Sequence, residues 1–243
     1  MYLEGLQIDA ISDTHGRHKH FKMPGGDILI HSGDATGQGH LDETIAFLDW
    51  LADQDYSNLI FVPGNHDTIF ELNPTLMADE CKQRNIILLN DSGCEIDGIK
   101  IWGSPVQPWF FDWAFNRRRT EEEAKKFGGG FIKDHWDLIP LDTEILITHG
   151  PAHGILDYVP RPWGTLEHVG CQELLKKVYE TQVKLHVFGH IHYARGYKYL
   201  DGRTFVNAAV LDEDYRPVKG NPFRIVKDIT GEYFVEELVT PEA

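Results

Sequence analysis

Five short clusters in this chain combine acid, amide and imidazole groups: Asp13-Thr14-His15, Gly33-Asp34, Gly64-Asn65-His66-Asp67, Thr148-His149-Gly150 and Gly189-His190-Ile191-His192. Together they offer enough oxygen and nitrogen donors for two metal ions. Imidazole mixed with carboxylate and amide oxygen, without thiolate, suits Mn²⁺, Fe or Zn²⁺; an all-oxygen set would point to Ca²⁺ or Mg²⁺. Asp13 and His15 lie two residues apart, so in extended backbone both face one way and can chelate one ion. Asn65 brings a neutral carbonyl oxygen. His66 projects away from it and is a candidate proton donor, while Asp67 either orients His66 or caps a turn. Singly, each cluster reads as an ordinary turn or helix cap. Jointly they do not, because each follows an apolar run where a strand ends, and strand ends on one sheet edge converge in space.

The elements that must position these groups alternate. Strands are expected at Leu6 to Ser12, Asp27 to Ser32, Leu59 to Val62, Ile86 to Leu89, Glu95 to Ile96, Lys100 to Trp102, Glu144 to Thr148 and Lys184 to Phe188. Helices are expected at Leu41 to Asp53, with Leu41, Ile45, Leu48 and Leu51 on one face, at Asn73 to Arg84 with Pro74 in its first turn, and at Gln172 to Thr181. From Tyr193 the pattern turns to hairpins: Gly196 to Leu200, Thr204 to Asn207, Phe223 to Val226 and Tyr233 to Leu238. Alternation followed by hairpins predicts an α/β (α+β) protein, a four-layer β-sandwich of two mixed sheets flanked by helices.

The 243 residues suffice for one large domain, and no linker, repeat or low-complexity tract divides residues 1–243. No apolar run approaches the ~20 residues needed to cross a bilayer. Met1-Tyr2-Leu3-Glu4 lacks the basic-then-apolar pattern of a signal peptide. Cys81, Cys94 and Cys171 have no CxxC spacing. They read as small buried apolar residues, reduced in a cytoplasm, with no thiolate zinc site. A formal net charge of −15 disfavours an extended nucleic-acid partner. It leaves room for a small phosphoester, because metal ions reverse the field near the acids.

The ordered motifs resemble those of the calcineurin-like metallophosphoesterases: D-x-H, G-D, G-N-H-[DE], a later strand-end His and G-H-x-H match without a gap. Similarity to the MPPED-type metallophosphodiesterase branch runs through nearly the whole chain. It takes in Ser12-Asp13-Thr14-His15, Trp102-Gly103-Ser104-Pro105, Thr148-His149-Gly150-Pro151, Val169-Gly170-Cys171 and Leu185-His186-Val187-Phe188-Gly189. Some animal members of that branch carry Gly where this chain has His190, which weakens their site; here the His is present.

The resemblance implies the calcineurin-like phosphoesterase fold and a role for each residue. Asp13, His15 and His192 would hold one metal, Asn65, His149 and His190 the other, and Asp34 both, with Mn²⁺ or Fe favoured and Zn²⁺ next. A hydroxide shared by ions ~3.5–4 Å apart would attack phosphorus in line with the departing oxygen. His66 would stabilise the transition state or protonate the leaving group, with Asp67 a second candidate catalytic residue. The implied activity is hydrolysis of a small phosphodiester, a cyclic nucleotide or relative. The alternatives are a phosphomonoesterase or protein phosphatase on the same scaffold, and a low-turnover metal-dependent nucleotide-binding scaffold.

Arg17 and His153 are further candidates for substrate contact. The aromatic run Trp109 to Phe115 is either a loop packed on the core or a rim that stacks a nucleobase. Arg117-Arg118-Arg119 reads as a solvated run balancing Glu121, Glu122 and Glu123.

Overall fold

In the computed structural model, residues 5–218 and 222–236 are described. Met1 to Glu4 and the end of the expected final strand at Leu238 lie outside them. Two six-stranded sheets carry the structure. The first runs edge to edge as Tyr233–Glu236, Phe223–Lys227, Leu6–Ile11, Gly26–His31, Tyr56–Phe61 and Ile86–Leu88. Its four members from the N-terminal part of the chain are mutually parallel, and the two C-terminal ones antiparallel. The second runs Gly196–Leu200, Arg203–Asn207, Leu185–Phe188, Ile145–Thr148, Ile99–Ser104 and Ser92–Ile96, with its four central strands parallel.

The near-continuous apolar runs are explained by burial on both faces. Side chains alternate along a strand, so Ile8, Ile28, Ile30, Ile145, Ile147 and Val187 enter the core between the sheets. Ile11, Leu29 and Phe61 point the other way, onto the helices Leu41–Ala52 and Pro74–Gln83 through Phe47, Leu48, Leu51 and Met77. Leu146, Phe188 and Phe205 meet the helices Ile132–Trp136 and Gln172–Glu180 through Trp136, Leu174 and Val178. This is the helix–sheet–sheet–helix order that the alternation predicts. Each fully buried aliphatic or aromatic side chain stabilises it by about 1.5–3 kcal/mol.

Three expectations need correction. Leu41, the first residue of its helix, is exposed, and the buried face is Thr44, Phe47, Leu48 and Leu51. Short helices at Thr68–Leu72 and Glu121–Phe127 stand outside the expected elements. Cys81 and Cys171 are buried, but Cys94 is half-buried at the core margin. Among the described residues, no helix is long and apolar enough to cross a membrane.

The parallel strands of both sheets point their C-terminal ends to one edge. There the sheets are tied by a bridge from Ser12 to Ala209, with Ser12 N donating to Ala208 O at 2.9 Å and Val210 N to Ser12 O at 3.0 Å. That seam brings the five clusters together.

Candidate metal centre

Asp13, Asp34, Asn65, His149 and His190 each follow a parallel strand by one to four residues, so the strands deliver them to one edge. Asp13, His15, Asp34 and His190 all have positive φ, between 41° and 68°. That conformation is uncommon for non-glycine residues and concentrates at functional sites. Close backbone approach accompanies it. A side chain at Gly33 would collide with the His149 ring and Gly64, and one at Gly189 with the Asp13 carboxylate.

The donor atoms converge. His15 Nε2 lies 3.3 Å from His192 Nε2, and His192 Nε2 lies 3.4 Å from Asp13 Oδ1. On the other side, His149 Nε2 lies 3.0 Å from Asn65 Oδ1 and 3.3 Å from Asp34 Oδ1. Asp34 Oδ2 faces His15 Nε2 at 3.8 Å and His66 Nε2 at 4.0 Å. Three sets have donor atoms within 4.8 Å of one another: Asp13, His15 and His192; Asp34, His149 and His190; and His15, Asp34 and His66. Asp34 belongs to two of these and sits between the two His-rich groups.

Backbone carbonyls fix the ring orientations. His149 Nδ1–H donates to Ser32 O at 3.0 Å, and His192 Nδ1–H to Asp212 O at 2.9 Å. Each therefore turns Nε2 inward, the arrangement metal-binding histidines use. His66 Nδ1–H donates to Gly37 O at 2.7 Å in the same way. Asp13 accepts His190 N through both oxygens, at 3.1 and 3.0 Å, which locks the G-H-x-H turn onto the D-x-H turn.

The donor set fits cations. Burial works to lower His149 and His192, yet Asp34 and Asp13 outweigh it and raise both to about 9. Burial likewise opposes the charge on Asp13 and Asp34, but His192 and His149 hold those carboxyls below their ordinary range. The carboxylates thus draw positive charge into a buried cluster, as metal sites do. His15 shows the opposite outcome: burial dominates and pushes it down to about 4, leaving a neutral ring free to donate a lone pair.

Asp67 does not touch the His66 ring. Its fully buried carboxylate accepts Gly64 N, Ala35 N and Thr36 N at 2.8, 3.2 and 3.0 Å, and Thr36 Oγ1 at 2.8 Å. It staples the Asn65 loop to the Asp34 loop, and orientation of His66 falls to the Gly37 carbonyl. Arg17 is exposed and does not line the cavity over the centre. His153 is half-buried beside Asp157, 3.8 Å away, and does not line that cavity either.

The cavity measures about 600 Å³ and opens directly on His15, Asp34, Asn65, His66, His190 and His192. Trp109, Phe110, Phe111 and Trp113 wall one side, with Trp113 stacked 4.1 Å from the His66 ring. The aromatic run therefore divides: Phe115 is core, and its upstream rings face the cavity. Asn116 clasps the loop, donating to Phe110 O and Phe111 O at 3.3 and 3.1 Å. The arginine run is not merely solvated. Arg117 pairs with Glu71, Arg118 lies 3.6 Å over the Trp109 ring, and Arg119 donates to Gly170 O and Val169 O. Tyr193 and Tyr215 also line the cavity and carried no periodicity or motif by which the sequence would expose them.

A model of the family described as calcineurin-like phosphoesterase matches residues 6–194. Metallophosphoesterase domain-containing protein 1 of Homo sapiens is 39% identical over 233 residues, taking in 86% of this chain and 67% of that protein. Among solved structures, the phosphopantetheinyl hydrolase of Mycobacterium tuberculosis superposes with a TM-score of 0.61 at 15% identity, covering 93% of this chain and 98% of that one. The protein TT1561 of Thermus thermophilus superposes with a TM-score of 0.59 at 14% identity, covering 96% and 99%. These two likenesses concern the fold alone.

Proposed function

Since the chain belongs to the calcineurin-like phosphoesterase family, a family with dinuclear metal centres, we propose that it is a phosphodiesterase acting on a small nucleotide-like diester. Asp13, His15 and His192 hold one ion in this reading, Asn65, His149 and His190 the other, and Asp34 both, with Mn²⁺ or Fe preferred over Zn²⁺. Bound there, the ions would acidify a water and offset charge on the non-bridging phosphate oxygens.

The protein's own groups account for the rest. His66 turns Nε2 toward the centre because Nδ1–H is committed to Gly37, so in the imidazolium form Nε2–H is the group that passes a proton to the departing oxygen. Trp113, stacked on the ring, holds its plane and keeps bulk water off it. In-line displacement would set the departing oxygen opposite the attacking one, and a leaving group on the His66 side would meet Nε2.

The observation that carries the diester reading is the aromatic wall beside the donor cluster. A doubly esterified phosphate brings an organic group on each side, and Trp109, Phe110 and Phe111 offer one of them an apolar, stackable surface. A small-molecule partner also agrees with the net charge of −15, which repels extended polyanions.

The test is a panel of cyclic nucleotides, linear dinucleotides and mononucleotides with Mn²⁺-loaded protein, followed by chromatography of the products. Turnover of a nucleotide diester ahead of the mononucleotides is expected. Cleavage of mononucleotides alone would replace this reading with a phosphomonoesterase.

A further inference from the structure

The turn that follows Leu211 reaches the metal centre twice, and the chemistry above uses only its first contact. That contact is Asp212 O, which orients His192. The second is Tyr215, whose ring stands edge-on to His15 at 4.8 Å and 87°, and to His192 at 5.6 Å and 78°. The turn is tightly held. Asp214 N and Arg216 N donate to Asp212 Oδ1 at 2.9 and 2.8 Å, and Tyr215 N donates to Asp212 O at 2.9 Å. Tyr215 itself sits at φ +59°, a conformation that a bulky side chain rarely adopts.

Packing does not account for this arrangement. Tyr215 is 41% exposed, and its hydroxyl has no hydrogen-bond partner among the described residues. The ring is nevertheless pinned against the two imidazoles and faces the cavity. The cavity's guanidinium groups are committed elsewhere, Arg119 to the Gly170 and Val169 carbonyls and Arg161 to Glu167. Glu213, two residues before Tyr215, also lines the cavity.

We propose that Tyr215 contacts the substrate: its phenol donates a hydrogen bond to a non-bridging oxygen of the phosphoryl group lying over His15 and His192. The proposal rests on the phosphodiesterase reading and deepens it. A doubly charged monoester would be matched by a cationic donor at this position. A neutral phenol on a cavity wall that also carries Glu213 suits a singly charged diester instead, because the second charge would meet repulsion there.

Tyr215→Phe keeps the ring and removes only the hydroxyl. Mn²⁺-loaded wild type and variant are compared in metal content, in calorimetric affinity for inorganic phosphate, and in kcat/KM for bis-p-nitrophenyl phosphate and p-nitrophenyl phosphate. Expected are equal metal content, phosphate affinity lower by about ten-fold, and diester kcat/KM lower by about ten-fold or more with a smaller loss on the monoester. Changes below about two-fold in both phosphate affinity and diester kcat/KM overturn the proposal. So does metal loss in the variant, which would make Tyr215 a support for His15 and His192. A wild type inactive on both esters overturns the hydrolase reading alone, and phosphate affinity then decides for Tyr215. A wild type that also fails to bind phosphate overturns both.

Discussion

Gly37 offers its carbonyl oxygen to His66 Nδ1 at 2.7 Å, and that hydrogen bond decides which ring nitrogen faces the centre. The loop that carries this carbonyl is held by Glu43, whose carboxylate accepts Gly37 N at 3.1 Å, Gln38 N at 2.8 Å and His40 N at 2.9 Å. Burial works to raise the Glu43 carboxyl, but the bonds from His40, Gln38 and Gly37 outweigh it and keep it below its ordinary value. A helix-capping glutamate is thereby linked to the proton donor through one loop.

That link predicts non-additivity. Glu43→Ala should lower kcat by about three- to ten-fold in the wild-type background and add little in a His66→Ala background. Kinetics of the four proteins in the cycle measure this. Losses that simply multiply would mean that Glu43 acts independently of His66.

His66→Ala should slow turnover by about 10²–10⁴-fold, the usual reach of a general acid, while leaving metal content unchanged. Loss of an ion would make His66 a ligand, as its place in the set with His15 and Asp34 geometrically allows.

Asp67→Ala should act through stability. It strips the acceptor from three backbone N–H groups and the Thr36 hydroxyl, all buried. A loss of about 3 kcal/mol or more is expected from denaturant unfolding, with Asp67→Asn costing less because one oxygen remains. A change within about 0.5 kcal/mol, together with lost turnover, would return Asp67 to the chemistry.

His186 predicts acid lability. Its Nε2 lies 2.8 Å from Thr148 Oγ1, which spends its own proton on Gly150 O, so Nε2 must be the donor and Nδ1 is left buried without a partner. Burial depresses His186 from 6.5 to about 3. The folded state thus binds the proton more weakly than the unfolded state. Its contribution to stability is complete above pH 6.5 and is lost progressively as the pH falls toward 3, by about 1 kcal/mol per pH unit. His186→Gln keeps the donor without titrating and should flatten that slope in unfolding curves taken between pH 7 and 4. An unchanged slope would place the acid sensitivity in other groups.

The strands and the donor clusters were legible in the sequence for one reason. Strands buried on both faces leave apolar runs such as Ile145-Leu146-Ile147, and the chemistry sits where those runs stop. The cavity wall was legible only in part: the run Trp109 to Phe115 announced its aromatics, but not which of them face the centre. The strands Gln107–Pro108 and Asn116–Arg117 are two residues each, too short for any period, and their loop is held by Asn116 side-chain bonds rather than by apolar pattern. Tyr215 sits in a turn built by Asp212 and shows no periodicity at all. One missed element did carry a signal. Thr120 and Glu123 mark the N-terminus of the helix Glu121–Phe127, and Thr120 Oγ1 accepts Glu123 N at 3.2 Å. Reading Arg117-Arg118-Arg119 as a solvated run failed because sequence spacing does not show which partners the fold supplies.

The most direct test of the account is hydrolysis of bis-p-nitrophenyl phosphate against p-nitrophenyl phosphate by metal-stripped protein before and after Mn²⁺ is returned, with Asp34→Asn alongside. The account predicts silence when stripped, recovery with a diester preference when Mn²⁺ is restored, and little turnover and reduced metal content in Asp34→Asn. Metal-independent turnover, or full activity of Asp34→Asn, would contradict the two-metal centre, and a monoester preference would contradict the phosphodiesterase.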